Sequence, residues 1–248
     1  MTLIVTELSA LGIIMTADSA VTQQVTIGNH PYTRVLTGAL KLQLIPHLRA
    51  GISVWGQGTL PLDGTDVSTD IWLADFIRRH SQAQSTEAFA TLLEHELRNS
   101  LGPRSGDDST MGFHLAGFVD SPHGPLPDFW HIHDGPSQYF SQSDPTQFNA
   151  NHDRPPQQYR PGHVYYTHNG DYRFYHVFLE AITALLNQAE QRLGAPTVPR
   201  TLATRAAFLR WQTRAVSDLY RLSGMTHIGG QIISLTIAPD GSCNFQWD

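Results

Sequence analysis

A single cysteine, Cys243, carries all the thiol chemistry of this 248-residue chain, which excludes an internal disulfide and any cysteine-rich metal site. Lysine is equally scarce: Lys41 stands alone among sixteen basic residues, the rest being arginine. Charge is sparse as well, at 15% of residues with a net value of -6. Arg78-Arg79 is the one adjacent basic pair, so no stripe exists that suits a nucleic-acid backbone. No apolar run approaches the ~18 residues of a helical membrane span. The opening MTLIVTELSALGIIMTADS has no positive leading region, carries Glu7 and reaches Asp18 without a cleavage site, so it does not read as a signal peptide. A cytoplasmic setting is expected, with neither nucleic acid nor membrane as partner.

What is present is the patterning of an ordinary globular chain, 40% hydrophobic. TLIVTEL, GIIMTAD, VLTGALKLQLI and RAGISVW read as strands, punctuated by Gly12, Gly28-Asn29 and Pro46. Two helices are expected next. The first places Ile71, Ala74 and Ile77 on one face, and the second places Phe89, Leu92, Leu93 and Leu97 there, with Ser85 or Thr86 as its cap. GPRSGDDST reads as a loop, GFHLAGFVD with PDFWHIHDG as a hairpin, and 141–162 as a long surface excursion. Helices over 172–193 and 202–222 and a final strand pair complete the chain. Strands, two helices, strands, two helices and strands imply an α+β fold, and with no boundary visible, residues 1–248 read as one domain.

Why keep one lysine in a chain that otherwise uses arginine? Only an amine offers a compact charge, three rotatable donors and a pKa that burial moves. If the first hairpin turns over Ser9 to Leu11, Leu8 pairs with Gly12 and Thr2 faces Asp18. Removal of Met1 before so small a residue would give Thr2 a free α-amine, whose ordinary pKa of about 7.7 to 8.0 leaves part of it neutral near pH 7. Nucleophile and base would then be one residue. A nearby ammonium would depress the amine's pKa further and a carboxylate would anchor that ammonium; Lys41 and Asp18 have the chemistry for both parts.

Thr2, Gly12 and Asp18-Ser19, followed by Lys41, WGQG at 55–58, GFHLAGFVD with WHIHDG, Gly229-Gly230 and Asp240-Gly241, run in an order that resembles a bacterial proteasome-related β subunit of the N-terminal nucleophile (Ntn) hydrolases. The resemblance implies a four-layer αββα sandwich and a threonine-type peptidase that needs no cofactor. It implies Thr2 as nucleophile, Asp18 and Lys41 as its activating pair, and the Gly56 amide as oxyanion donor. A peptide or amide substrate and a homomeric ring follow from it, while an ATPase partner stays open. Ser19 would add a hydrogen bond near Thr2, and Asn169 in THNGD stands where a supporting serine is expected. The chain departs from the pattern in SGMTHIGG, where Met225 and Ile228 replace the Asp and Ser that support the amine, and no long propeptide precedes Thr2.

Other readings remain. Thr2 can be an ordinary strand residue, Asp18 a turn carboxylate and Lys41 a surface amine, and Ser19 can cap a turn. His131 and His133 share a strand face as two metal ligands would, but no third ligand is indicated and no metal is expected. A small-amide Ntn amidase and an inactive ring-forming scaffold are the alternative functions.

Overall fold

The computed structural model describes all residues except 1, 28–29, 63, 104–109, 123, 135–145, 161, 195–196, 198, 226 and 248, and the side chains of 23–27 and 31–33. The expected loop at GPRSGDDST therefore lies largely outside the described residues, as do the Gly28-Asn29 turn and Met1. The architecture is mixed α/β, with four α-helices and several sheets among the described residues.

The first sheet has the order β12-β1-β2-β13-β14, built from β1 (Leu3–Ser9), β2 (Gly12–Asp18), β12 (Tyr165–Gly170), β13 (Ile232–Ile237) and β14 (Cys243–Trp247). The second has the order β11-β10-β9-β6-β5, from β5 (Leu42–Ile45), β6 (Ala50–Trp55), β9 (Gly112–Val119), β10 (Leu126–His133) and β11 (Asn149–Arg154). Two hairpins stand apart from these sheets, β3 (Val21–Ile27) with β4 (His30–Leu36) and β7 (Thr59–Leu62) with β8 (Thr65–Ser68). β1, β2 and β13 touch β5 and β6, so the sheets pack on each other. Helix α4 (Leu202–Leu222) lies on β2 and β13 with α3 (Arg173–Leu193) beside it, and α2 (Thr86–Leu101) covers β9 and β10.

The register of β1 on β2 differs by one residue from the expected one: Ile4 pairs with Ala17 and Ser9 with Gly12. Hydrophobic pattern decides it. A one-residue shift exchanges the two faces of a strand, and the observed pairing puts Ile4, Leu8, Ile13, Met15 and Ala17 together between the sheets. Leu3, Val5 and Ile14 then face α3 and α4. The expected strand over 35–45 is likewise broken, β4 ending at Leu36 and β5 starting at Leu42, which leaves Lys41 at the end of a connection. The excursion at 141–162 contains β11, because the edge of β10 is available to pair with it.

Helix α1 (Thr69–Arg79) buries Thr69, Trp72, Leu73, Phe76 and Ile77, whereas Ile71 is 67% exposed. The expected face is thus corrected: the wide stripe carrying Trp72 and Phe76 buries more apolar area than one built on Ile71 and Ala74. Ser85 caps α2, its Oγ accepting from the Ala88 N–H at 3.1 Å. No helix among the described residues is long and apolar enough to cross a membrane.

His114, His131 and His133 lie together, with ring centroids 5.1 Å apart for the first pair and 4.6 Å for the second. Among the described residues no group of three or more His, Cys, Asp and Glu is arranged to hold a metal. His114 is satisfied as a neutral ring: with Nε2–H donating to Asn169 Oδ1 at 2.7 Å, its Nδ1 accepts from the Thr6 hydroxyl at 3.0 Å. Burial pushes its pKa down to about 3, against the opposing hydrogen bond to Asn169. Burial also holds His131 well below the ordinary imidazole value. Between pH ~6.5 and these depressed values the unfolded chain binds protons that the folded chain does not, so stability falls as pH falls. Each ring contributes a slope of about 1.4 kcal/mol per pH unit. Urea denaturation between pH 7 and 4 is expected to show this loss, and His131→Gln is expected to flatten it by about one ring's share.

Candidate active site

Asp18 ends β2 fully buried, and its carboxylate accepts from four donors. Leu3 N–H reaches Oδ1 at 2.8 Å and Lys41 Nζ reaches it at 3.1 Å, while the N–H groups of Ala20 and Gly229 reach Oδ2, each at 3.1 Å. The expected cross-strand meeting of Thr2 with Asp18 is replaced by this backbone bond one residue further on. Lys41 is 4% exposed and also donates to the Ala20 carbonyl. Burial lowers its pKa, and the charge and hydrogen bond of Asp18 work against that fall.

Thr2, Lys41 and Gly56 line one cleft of about 350 Å³, part of it open solvent, walled by Val21, Ala39, Val54 and Trp55. At Gly56 φ is +90° and a Cβ would overlap the Thr110 carbonyl, so only glycine brings the chain through here. Ser19 is fully buried beside Asp18, and its Oγ accepts from Gln231 N–H at 2.8 Å and Gly38 N–H at 3.3 Å. It thus ties the connection that carries Lys41 to the loop that carries Gly229. Asn169 turns its side chain to His114 between the sheets.

Sequence reasoning missed Asp171. Its N–H donates to the Thr2 carbonyl at 2.8 Å, and the preceding Gly170, at φ +93°, passes so close that a Cβ would overlap that same oxygen. The Asp171 carboxylate accepts from Tyr220 OH at 2.5 Å and from Arg173 Nη2 at 2.6 Å, and it meets His227 Nε2 at 3.0 Å. Burial would raise its pKa, but the bonds from Arg173, Tyr220 and His227 prevail and hold it well below the usual carboxylate range. His227 belongs to the same loop as Gly229, so Asp171 and Asp18 grip that loop at two points. The signal available in the sequence was the THNGD turn itself, in which an Asp follows a glycine at the head of a helix.

No family model matches the chain, and no curated protein matches it. Solved structures do. An Anbu (Gly-1) mutant from Hyphomicrobium sp. strain MC1 aligns with TM-score 0.54 and 14% identity over 100% of this chain and 86% of the other. Anbu (ancestral beta-subunit) from Yersinia bercovieri aligns with TM-score 0.54 and 15% identity over 98% of this chain and 86% of the other. The fold is proteasome-related. At such identity the likeness is one of fold, which corrects the resemblance read from the sequence: the structural neighbours are Anbu proteins, and membership among proteasome β subunits does not follow.

Asp171→Asn keeps the N–H that holds Thr2 and removes the charge that gathers Arg173, Tyr220 and His227. Denaturant titration at pH 7 is expected to show a loss of about 2 kcal/mol, the scale of charge-assisted hydrogen bonds. Because the native carboxyl titrates below its unfolded value, the deficit relative to wild type is expected to shrink as pH falls through the ordinary carboxylate range.

Proposed function

We propose that the chain is a threonine hydrolase that cleaves a peptide or amide bond, with Thr2 as nucleophile once Met1 has been removed. The observation that carries this reading is the buried Lys41–Asp18 ion pair, whose Lys41 lines the same cleft as Thr2, in a chain with no other lysine. Burial and an ion partner are what tune an amine's proton affinity, and a surface charge needs neither.

In the proposed reaction the Thr2 Oγ–H proton passes to the residue's own α-amine as Oγ attacks the substrate carbonyl carbon. Lys41 stabilises the site's negative charge, Asp18 holds Lys41, and the Gly56 N–H faces the developing oxyanion. The C–N bond then breaks, the departing amine takes the proton from the Thr2 amine, and an ester to Thr2 remains. Water activated by that amine hydrolyses the ester. Ser19 acts as a support through the two loops it joins, and Asn169 acts at a remove, through its bond to His114 and that ring's bond to Thr6 of β1.

The reading extends to architecture and setting. The packing of α2 on the second sheet, the second sheet on the first, and α4 on the first supports a four-layer αββα sandwich in a single domain over 1–248. Val177, Leu185 and Leu222 are 63, 58 and 77% exposed on α3 and α4, and covering them supports a homomeric ring. A reducing, cytoplasmic setting suits the single free thiol of Cys243. Light scattering is expected to give a particle several times the 27.6 kDa of one chain.

Two measurements test the chemistry. Intact mass of the protein from its own host is expected to lack the initiator methionine; retention of Met1 moves the reading to a non-catalytic scaffold. A threonine-reactive electrophile is expected to label Thr2, and Thr2→Ala abolishes labelling. Lys41→Arg keeps the charge but puts a wide planar fork in place of a compact ammonium. Displacing reacting groups by ~1 Å can cost on the order of 100-fold in rate, and a loss of about that size in labelling is expected. Wild-type labelling in the Arg variant would remove Lys41 from the mechanism.

A further inference from the structure

A second concave site lies away from Thr2, on the connection between β11 and β12. Arg154, at the end of β11, and Arg160 and His163, in the connection, converge with Gln157, Gln158 and Tyr165 on an open groove of about 830 Å³, part of it solvent. Tyr165 pairs with Leu8 at the far end of β1. Thr2 is six residues along that strand, so the groove is about 20 Å from the cleft by strand rise.

Its arginines are not tied up in close ion pairs. Among the described residues neither Arg154 nor Arg160 makes an ion pair, and the Arg154 Nε is buried with no hydrogen-bond partner. Asp153 precedes Arg154 on the strand and feels its charge, but it forms no ion pair with it. The Arg154 guanidinium lies over the Tyr165 ring, 5.0 Å from its centre, in a cation–π contact that holds it in place. The Tyr165 hydroxyl is fixed in turn by the Arg160 N–H at 3.2 Å and the Gln158 carbonyl at 3.3 Å. A second buried polar atom without a partner, the Tyr159 hydroxyl, belongs to a ring 5.9 Å from that of Tyr165.

We infer that this groove binds a small molecule carrying an oxyanion, a phosphate or a carboxylate. A stacked guanidinium is a preorganised fork whose free N–H groups match both anions bidentately. Arg160 and His163 supply further donors from the connection, and the glutamine amides and the Tyr165 ring leave room for the body of the ligand. The groove requires no part of the Thr2 chemistry, so it stands or falls independently of it.

Calorimetric titration of the full chain with inorganic phosphate and with citrate, at constant ionic strength set by chloride, tests the inference. Saturable binding of at least one anion is expected, weakened about tenfold or more by Arg154→Gln and by Arg160→Gln, the change one charge-assisted hydrogen bond makes. Unliganded melting temperatures show that the variants fold, and Arg160, being exposed, serves as the test where the Arg154 variant does not. Stronger binding of phosphate identifies a phosphate-bearing ligand, and stronger binding of citrate a carboxylate. No saturation by either anion up to about 10 mM, a range that covers millimolar affinity, overturns the inference, as does binding unchanged in the double variant.

Discussion

The buried carboxylate of Asp18 is the constraint on which the candidate site depends. Removing a charge from water is costly unless every lone pair finds a donor, and the four donors it gathers come from separate stretches of chain. Leu3 fixes the start of β1, Ala20 the exit from β2, Gly229 the loop before β13, and Lys41 the connection between β4 and β5. Meeting the needs of one anion therefore brings three stretches of the first fifth of the chain and one of its last fifth to a single point. Lys41 alone among these donors carries charge. It is held at low exposure by the same geometry that lowers its proton affinity.

Glycine permits the close approaches that this convergence demands. Gly170 lets β12 pass against the Thr2 carbonyl, and Gly56 lets the chain turn past Thr110 into the cleft. Gly230, at φ +74°, does the same beside Ser19 Oγ. Each position lies where L side chains are strained and space is absent, so the site is shaped as much by missing side chains as by polar ones. Around it the buried carboxylates are paired. Asp171 takes Arg173, Tyr220 and His227, and Glu7 takes Arg205 at 2.5 Å under α4. Asp18 and Glu7 each meet a cation from a distant segment, Lys41 and Arg205.

Such pairing also sets the character of the space between the sheets. Thr6, His114 and Asn169 form a hydrogen-bonded chain that links β1, β9 and β12 across it. The neutral imidazole serves both neighbours at once, as donor to one and acceptor from the other. The cost is sensitivity to acid, since a protonated ring has no acceptor to offer Thr6.

How much of this was legible in the sequence depends on whether the responsible interaction is local. Helices α3 and α4 follow from apolar periodicity and end within one residue of their expected bounds. The Ser85 cap and the β1-β2, β9-β10 and β13-β14 hairpins follow from turn and propensity signals that act over a few residues. The single lysine was visible as composition. Strands β7, β8, β11 and β12 were not, because their short, mostly polar sequences become strands only when a partner edge is offered. The true register of β1 on β2 was decided by which face the second sheet covers, and Asp171 became part of the site only when β12 was laid against Thr2. The sequence by itself determined which segments would form and which charges would need partners. Tertiary structure alone decided which partners they received, because a carboxylate's hydrogen-bond demand specifies the kind of donor and leaves its place in the chain free.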